Sequence, residues 1–361
     1  MNNKNLYLVQ LTPLSAYFFG GEKTLGEGDK ASYWAKSNRF PSQATLLGVM
    51  RYEVLRQRNL LGLKNTERCK ACIGPRSFSL DWVLHAHEKI EYGIISRISP
   101  LFLHNQRTGD YFTAMPLDTG LLCQWELGRT YLSGKRMERI PVVRDYNTKE
   151  YQHHMHYTNP KGESLVDVLK RYCDSESPNL SVFQEVEQIG ITKNKKQKQG
   201  TDEDAFFKQQ MVVLHPDLCF AFTVETFEPL QEGCSMVFMG ANRSMFNMQI
   251  SQPASLPDFF STGASNYFAP LARPDRYLLL SDAYLSPAIQ QATDFIWGES
   301  VECRSIQSEV SHGFHWKRPV KSALYHLQAK GSVLYGSKLD EILALPSLQQ
   351  VGLNMYIKST K

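Results

Sequence analysis

The stretch MVVLHPDLCFAFTVE, Met211 to Glu225, decides the expected fold. Two apolar runs flank the turn Pro216-Asp217, and every other residue from Leu218 to Val224 is large and apolar, with smaller or polar residues between them. A period of two is typical of a strand that buries one face, and Pro-Asp favours a turn. The stretch therefore predicts an antiparallel hairpin with one buried face.

Other segments repeat the strand signal, and two carry a helix signal. Strands are predicted at Leu6 to Leu11 and in SMVFMGANRS, RYLLLSDAYL and VGLNMYIK. Ser42 is a candidate helix N-cap, and an apolar stripe at helical spacing runs from there to a stop at Gly62. A second helix is predicted over Ser164 to Tyr172. Because helices are few, the class is α+β rather than doubly wound.

Length and composition exclude several classes of protein. A chain of 361 residues with 42% hydrophobic and 21% charged residues is typical of a globular protein, and its length predicts two domains. Forty basic against thirty-six acidic residues give a charge of only +4, so nucleic-acid binding would need local clustering. Seven scattered cysteines predict reduced thiols, and with neither a signal peptide nor a membrane span in the sequence we expect a cytoplasmic protein.

Three stretches of the chain hold Lys or Arg but no carboxylate. They are residues 30–52 with four cations, 188–201 with a lysine run at 193–198, and 310–339 with five cations and three histidines. Each alone is compatible with a solvated loop, but a series of cations is what phosphate binding requires. The second stretch, IGITKNKKQKQG, lies between apolar flanks, which predicts a projecting hairpin or a mobile loop.

Two further features fit a nucleic-acid partner, and each also has a purely structural explanation. GANRS, Gly240 to Ser244, follows a predicted strand, where a glycine lets backbone amides approach a phosphate; a plain turn explains it equally well. The aromatic residues of the third stretch are suited to stacking on bases or to filling a core. They are Phe314, Trp316, Tyr325 and Tyr335.

Metal binding and catalysis have weaker support in the sequence. Cys69 and Cys72 with His85 and His87 suggest a zinc site, but the His-x-His spacing is tighter than in zinc fingers and no second CxxC exists. The histidines at 153, 154 and 156 have no partner carboxylate or nucleophile at a useful spacing, so a surface loop explains them better. No familiar hydrolase or nucleotide-binding motif is present.

The order of the motifs resembles the RAMP proteins of type III CRISPR effectors, and most closely subunit three of the type III-B (Cmr) complex. The resemblance lies in LTPLSAYFFGG and RFPSQATLLGVMR near the N-terminus, and in IGITKN followed by DEDAFFKQQMVVLHPDLCFAFTVE in the centre. It continues in GANRS and in HGFHWKRPVKSALYHLQAKGSVLYG. Together these segments cover about half of the chain.

The resemblance implies a fold, a role and partners. The fold is two ferredoxin-like (RRM-like) domains, residues 1–230 and 231–361, with a protruding thumb hairpin whose basic loop lies near 188–210. The role is to hold the 5′ handle of CRISPR RNA without catalysis, cofactor or metal. The partners are CRISPR RNA, the large palm-domain signalling subunit and a backbone RAMP subunit, with target RNA contacted indirectly and no membrane.

The resemblance and the basic stretches together predict a set of RNA contacts. Helix N-terminal amides, cations, and glycines that permit close backbone approach would line the path of the handle. The predicted residues are Arg39, Ser42, Gln43, Arg51, Lys193, Lys195, Lys196, Lys198, Asn242, Arg243, Ser244, His312, Lys317, Lys321, Gly331 and Ser332.

Two other functions remain open from the sequence. Some RAMP relatives cleave precursor CRISPR RNA without a metal, and His312, His315 or the 153–156 cluster would then act as general acid or base. Alternatively, the chain is a scaffold that binds no RNA and whose basic stretches only solvate its surface. Salt dependence of RNA binding separates this last hypothesis from an RNA clamp.

Overall fold

The structure, a computed structural model, describes twelve segments of the chain. They are residues 4–20, 33–62, 66–85, 90–118, 123–132, 135–143, 156–172, 181–191, 206–240, 242–253, 276–307 and 320–358.

Short helices and many strands make up these segments. The helices are α1 (Gln43–Gln57), α2 (Thr66–Ile73), α3 (Leu80–His85), α4 (Leu165–Lys170), α5 (Pro287–Ala292), α6 (Leu339–Leu343) and α7 (Pro346–Gln349). The strands of the first half are β1 (Asn5–Pro13), β2 (Phe19–Gly20), β3 (Tyr33–Asn38), β4 (Ile95–Ile98), β5 (Phe102–Asn105), β6 (Tyr111–Ala114), β7 (Cys123–Leu132), β8 (Lys135–Val143) and β9 (Tyr157–Thr158). Those of the second half are β10 (Phe183–Ile191), β11 (Phe206–Leu214), β12 (Leu218–Thr226), β13 (Gly233–Met239), β14 (Ser244–Ser251), β15 (Arg276–Leu279), β16 (Phe295–Trp297), β17 (Ser300–Cys303), β18 (Ile306–Gln307), β19 (Val320–Lys321), β20 (Tyr325–Gln328), β21 (Val333–Tyr335) and β22 (Tyr356–Lys358).

The largest sheet has eight strands and is antiparallel in all its pairs. Its order is β13-β14-β1-β12-β5-β6-β9, and β4 also pairs with β12. Helix α1 contributes Leu46, Met50 and Val54 to one buried cluster with the apolar side chains of β1 and β12. The predicted α+β class with antiparallel sheets is confirmed, since β11 with β3 is the one parallel pair among the described strands.

The predicted hairpin at Met211–Glu225 is wrong in its pairing. The turn is present, and the backbone N–H of Leu218 donates to the carbonyl of His215 at 2.9 Å. However, β11 pairs with β10 and β3, whereas β12 pairs with β1, β4 and β5. Strand β12 is also buried on both faces rather than one, because its intervening residues, such as Cys219 and Ala221, are small enough to be covered as well.

A second sheet, of order β10-β11-β3-β2, carries the hairpin formed by β10 and β11. The two strands run antiparallel from the pair Phe183–Leu214 to the pair Ile191–Phe206. Every residue from Gln184 to Ile189 is exposed, so beyond Phe183 this strand leaves the core on both of its faces. The lysines at 193, 195, 196 and 198 lie between the two strands and outside the described residues.

The third sheet has the order β16-β21-β15-β22, and all its pairs are antiparallel. Helix α5 connects β15 to β16, and α6 and α7 connect β21 to β22. The predicted strand VGLNMYIK is shorter than expected, because Val351 and Leu353 lie in the turn after α7 and pack into the core of the first sheet.

The first and third sheets pack directly on each other. Phe102 of β5 lies in a buried cluster with Leu278 and Val333 of the third sheet, and the backbone N–H of Ile98 donates to the carbonyl of Gln350 at 2.8 Å. The predicted domain boundary after residue 230 falls within the first sheet, since β13 and β14 pair with each other and β14 pairs with β1.

Helix α1 begins as the sequence predicts and ends earlier. Ser42 is its N-cap, and the backbone N–H of Thr45 donates to the Ser42 Oγ at 3.2 Å. The helix ends at Gln57 rather than at the predicted stop, Gly62, so Leu61 lies beyond the helix and is exposed. The predicted helix at Ser164–Tyr172 is present as α4. Within the described segments no helix is both long and apolar enough to cross a membrane.

Candidate nucleic-acid interface

Two exposed cations share one carboxylate at the base of the β10–β11 hairpin. Arg39 lies 3.5 Å and Lys36 3.7 Å from the Glu185 Oε1, measured from their terminal nitrogens. Exposed ion pairs contribute little to stability, so both cations can exchange this partner for another anion at small cost. Two cations therefore lie within ion-pair distance of the Glu185 carboxylate.

Arg39 is held in place by its own backbone and by an aromatic ring. The hydroxyl of Tyr17, a fully buried residue, donates to the Arg39 carbonyl at 2.8 Å. The guanidinium lies 5.9 Å from the centre of the Phe183 ring, where β10 begins. The Arg39 carbonyl is therefore bound by a buried hydroxyl, while 43% of its side chain is exposed to solvent.

The turn between β13 and β14 brings an amide and a third cation to the same region. The Asn242 Nδ2 donates to the Gln209 Oε1 at 2.8 Å, and Gln209 pairs with Ala35 of β3, next to Lys36. Arg243 is exposed and has a positive φ of 51°. We name Lys36, Arg39, Asn242 and Arg243 the hairpin-base cluster.

The remaining residues of this turn serve its packing. Ser244 is buried, and its Oγ accepts a hydrogen bond from the backbone N–H of Phe18 at 3.0 Å. Gly240 has a φ of +73°, and a Cβ there would lie 2.5 Å from the Phe18 carbonyl oxygen. The Ser244 side chain is therefore engaged within the fold, and the predicted RNA contact at this residue is not part of the candidate interface.

At the start of α1, the predicted residues point to different roles. The Ser42 Oγ is engaged as the N-cap. The Gln43 Oε1 is buried with no hydrogen-bond partner among the described residues. It lies close to Gly352, between α7 and β22. The Gln43 side chain therefore faces the segment that connects α7 to β22 of the third sheet.

Arg51 is buried and binds backbone carbonyls rather than solvent. Its Nε donates to the Ile73 carbonyl at 2.6 Å, a terminal nitrogen donates to the Arg76 carbonyl, and the guanidinium lies 5.7 Å from the centre of the Tyr92 ring. Burial lowers the pKa of Arg51 to about 10. The residue fastens α1 to the segment after α2, so its place does not support the predicted RNA contact.

Gly331 and Ser332 are closely packed against other parts of this chain rather than open to an RNA backbone. The Gly331 carbonyl accepts from the Leu117 N–H at 3.0 Å, and a Cβ at Gly331 would lie 3.2 Å from the Met115 carbonyl oxygen. Ser332 is fully buried, and its Oγ accepts from the Gln328 Nε2 at 3.0 Å. The predicted contacts with RNA are corrected at both positions: Gly331 packs against the segment after β6, and Ser332 is buried within the third sheet's surroundings.

Lys330 was not predicted, although it stands directly before this pair. Its Nζ lies 2.9 Å from the centre of the Phe40 ring, one residue from Arg39, and its backbone N–H donates to the Asp282 Oδ1 at 3.0 Å. Burial lowers the pKa of Lys330 to about 7, although the negative charge of Asp282 acts to raise it. The one feature of the sequence that points to Lys330 is its place in residues 310–339, the third stretch without a carboxylate.

Several predicted residues cannot be joined to this cluster. Lys321 is exposed in β19 and pairs in register with Ile306. Lys193, Lys195, Lys196, Lys198, His312 and Lys317 lie outside the described residues.

The zinc hypothesis finds no assembled site in the described part of the chain. Cys69 is buried and Cys72 half-buried in α2, whereas His85 is exposed at the end of α3. No three His, Cys, Asp or Glu residues come together there to hold a metal. His87, His153 and His154 lie outside the described residues, and His156 is exposed.

Comparison with known proteins gives the family. The profile of the family described as CRISPR-associated protein (Cas_Cmr3) matches residues 9–343, so the chain belongs to this family. The predicted membership of the RAMP superfamily, as subunit three of the type III-B (Cmr) kind, is thereby confirmed. The chain is a subunit of a type III-B CRISPR effector. Among curated proteins no sequence matches this chain.

Two solved structures are similar over almost the whole chain. A chain from a cryo-EM structure of a type III-B Cmr-β complex bound to cognate target RNA aligns with a TM-score of 0.53 and 11% identity, covering 97% of this chain and 96% of that one. A chain from such a complex bound to target RNA and AMPPnP aligns with a TM-score of 0.50 and 12% identity, covering 97% and 95%. At these identities the likeness shows the fold alone.

Proposed function

We propose that this chain is a non-catalytic subunit that binds the 5′ handle of CRISPR RNA in its effector complex. The observation that carries the proposal is the hairpin-base cluster, where the exposed side chains of Lys36 and Arg39 both approach the Glu185 carboxylate. A phosphate backbone needs cations that are positioned yet exposed, and these two meet both conditions. Asn242 and Arg243 add neutral and charged donors beside them.

The strand orders support two ferredoxin-like domains in this proposal. In the first sheet, β5, β12, β1 and β14 stand in the spatial order second, third, first, fourth along the chain, with α1 connecting the first and second. In the third sheet, β16, β21, β15 and β22 repeat this order with helices in both crossovers. The third sheet follows the β-α-β-β-α-β order of ferredoxin-like domains, and the first sheet follows its strand order with the first helix and with β13 in place of the second, which supports the proposal.

The β10–β11 hairpin is the proposed thumb. Its exposed strand from Gln184 to Ile189 precedes the lysine run at 193–198 in the sequence. A single path for RNA would then run from the hairpin base along the hairpin. In this proposal the chain also docks on the large palm-domain subunit and on a backbone RAMP subunit, and it meets target RNA only indirectly. The target RNA in the solved type III-B complexes is compatible with this role.

The test compares two double variants in the reconstituted complex. Lys36→Gln with Arg39→Gln removes the pair at the hairpin base, and Lys4→Gln with Arg58→Gln removes one lysine and one arginine from similar exposed ion pairs. Binding of a labelled RNA carrying the repeat-derived 5′ end is measured from low to moderate salt. Each lost phosphate contact should reduce the slope of log K against log salt by about 0.7, in the first variant only.

Equal slopes in both variants would refute the role of the cluster. The non-catalytic part of the proposal has its own assay, in which the chain is incubated with repeat RNA in EDTA. Intact RNA is expected, whereas discrete cleavage that a His→Ala variant at His312, at His315 or in the 153–156 cluster abolishes would establish the metal-independent endoribonuclease instead.

A further inference from the structure

The first sheet has two faces, and one of them is partly uncovered. On β13 and β14, Val237 and Phe246 lie in the buried cluster that also contains residues of α1, so the residues next to them belong to the opposite face. The third sheet covers another part of that opposite face, where Phe102 of β5 joins its cluster. On β13 and β14 the side chains of this face are exposed or half-buried. We name them the open face, and they are Met236, Phe238, Met245, Asn247 and Gln249.

The open face places an aromatic ring next to apolar and amide side chains. Phe238 is 57% exposed and stands opposite Met245, while Met236 stands opposite Asn247. Gln249 is exposed and is the next residue on the same side of β14. Large apolar side chains that are exposed singly are normal, but a contiguous group marks an interaction surface.

The chemistry of the open face matches that of unpaired nucleic-acid bases. A base has two flat apolar faces and an edge of hydrogen-bond donors and acceptors, and unpaired RNA bases stack on aromatic rings that a sheet exposes. The amide of Asn or Gln offers both a donor and an acceptor to such an edge. Neither β13 nor β14 contains a carboxylate, so these strands hold no charge that repels the phosphates.

The open face is continuous with the hairpin-base cluster. Asn242 and Arg243 of that cluster lie in the turn that joins β13 to β14, and the exposed Arg243 stands two residues before Met245. Glu232, the carboxylate nearest to these strands in the sequence, precedes β13 at the other end of the hairpin. An RNA whose phosphates contact the cluster can therefore place a neighbouring base on Phe238.

From these observations we propose that the open face binds unpaired bases of the CRISPR RNA, with Phe238 as the stacking surface and the amides of Asn247 and Gln249 at the base edges. The proposal rests on the proposed function and extends it. The hairpin-base cluster would contact phosphates, which carry no sequence information, whereas hydrogen bonds to base edges do carry it. A protein subunit is the competing occupant of this face, and cross-linking separates the two.

The first experiment is photo-cross-linking in the reconstituted complex. The CRISPR RNA carries 5-iodouridine at one unpaired position at a time, because an iodinated base links on irradiation to an aromatic ring stacked on it. We expect a link to Phe238 that the Phe238→Leu variant loses. Phe227, which is 45% exposed outside the open face, is the matched ring that should form no link.

A protein occupant is detected in the same complex with benzoylphenylalanine in place of Phe238. We expect this side chain to link to RNA. A link to another subunit instead of RNA would overturn the proposal. So would the absence of any link between Phe238 and the iodinated RNAs.

The second experiment separates stacking from phosphate contact. Phe238→Leu keeps an apolar side chain but removes the ring, so RNA binding should weaken by about 5- to 100-fold, the loss of one stacked base. The slope of log K against log salt should stay at its wild-type value, because no phosphate contact is lost. Phe238→Tyr, which keeps a ring, and Phe227→Leu, which removes an exposed ring elsewhere, should both bind as the wild type does. Equal thermal unfolding midpoints show that the variants fold.

Reading of base edges has its own measurement. The affinities of RNAs that differ only in the base linked to Phe238 are compared in the wild type and in Asn247→Leu with Gln249→Met. The variant should discriminate less between these RNAs, because its side chains offer no hydrogen bonds to the base edge. Discrimination equal to that of the wild type would refute base reading by the open face.

This proposal and the proposed function fail in different ways. If the wild-type complex binds no CRISPR RNA, the proposed function fails. If the wild type binds the RNA and Lys36→Gln with Arg39→Gln weakens binding, but Phe238→Leu binds with wild-type affinity, only the role of the open face is refuted.

Discussion

Arg276 and Asp118 form an ion pair in which the two side chains are 1% and 0% exposed. The Arg276 Nε lies 2.8 Å from the Asp118 Oδ2, and a terminal nitrogen lies 2.5 Å from Oδ1, so the pair is bidentate. The hydroxyl of Tyr335 donates to the same carboxylate. Asp118 follows β6 of the first sheet and Arg276 begins β15 of the third sheet. The pair therefore joins these two sheets.

Replacing Asp118 with Asn should destabilise the protein strongly. The change leaves the Arg276 charge buried without its counter-charge, and breaking a buried pair in this way costs about 3–5 kcal/mol. Chemical denaturation of the purified chain measures the loss. Glu163→Gln, which removes the exposed partner of Arg171, is the control and should cost less than about 1 kcal/mol. Equal costs would show that burial of the pair is not what matters.

The stability of the protein should rise with pH above 7 because of Lys330. Its pKa is lowered to about 7 in the folded state from an ordinary value of 10.5, chiefly by burial. Between these values the unfolded chain holds a proton that the folded chain has released, so raising the pH favours folding, by at most about 1.4 kcal/mol per pH unit. Below pH 7 both states are protonated and this dependence disappears.

Denaturation midpoints at pH 7, 8.5 and 9.5 measure this effect. Lys330→Met should flatten the rise, while Lys338→Met, at an exposed lysine, should leave it unchanged. Asp282→Asn removes the charge that favours protonated Lys330, so the rise should begin at a lower pH. A Lys330→Met protein with the wild-type pH dependence would contradict the assignment.

Arg51 should matter for stability and not for RNA. Arg51→Met removes two charge-assisted hydrogen bonds, to the carbonyls of Ile73 and Arg76, and each such bond is worth about 1.5–3 kcal/mol. We expect a clear fall in the unfolding midpoint with unchanged RNA affinity per folded molecule. A stable variant that binds RNA more weakly would restore Arg51 to the RNA interface.

Gly240 should tolerate alanine worse than Gly109. Both have a positive φ near 75°, so both substitutions incur the cost of a left-handed alanine, about 1 kcal/mol. Only at Gly240 would the new Cβ collide, at 2.5 Å from the Phe18 carbonyl oxygen, whereas nothing lies within 4 Å at Gly109. The difference between the two unfolding free energies isolates the collision. No difference would mean that the turn shifts freely.

Local signals in the sequence predicted local structure well. Ser42 is predictable as an N-cap because the cap and the amide from which it accepts a hydrogen bond are three residues apart. The turn at Pro216-Asp217 is likewise predictable because it depends on residues close together in the chain. The predicted pairing of β11 with β12, however, is wrong. A turn reverses the chain whether or not its two strands join one sheet, and the partners that decided this, β1 and β3, lie far away in sequence.

The candidate site was predictable in part. Arg39, Asn242 and Arg243 were selected from basic stretches and a glycine turn, and the structure links them through β3 and β11. The sequence does not single out Lys330, and it predicts Arg51 to be a surface cation. Nothing in a single sequence distinguishes an arginine that faces solvent from one whose carbonyl acceptors lie 22 and 25 residues away.

The sequence by itself determined the class of fold, the strand periodicities, the absence of carboxylates from three basic stretches and the membership of a family that its motif order revealed. Only the tertiary structure decided which cations are exposed, that Gly331 packs against Met115, and that Met236 and Phe238 face outward. The reason is physical: periodicity and capping depend on neighbours along the chain, whereas burial depends on contacts such as Asp118 with Arg276, which are 158 residues apart.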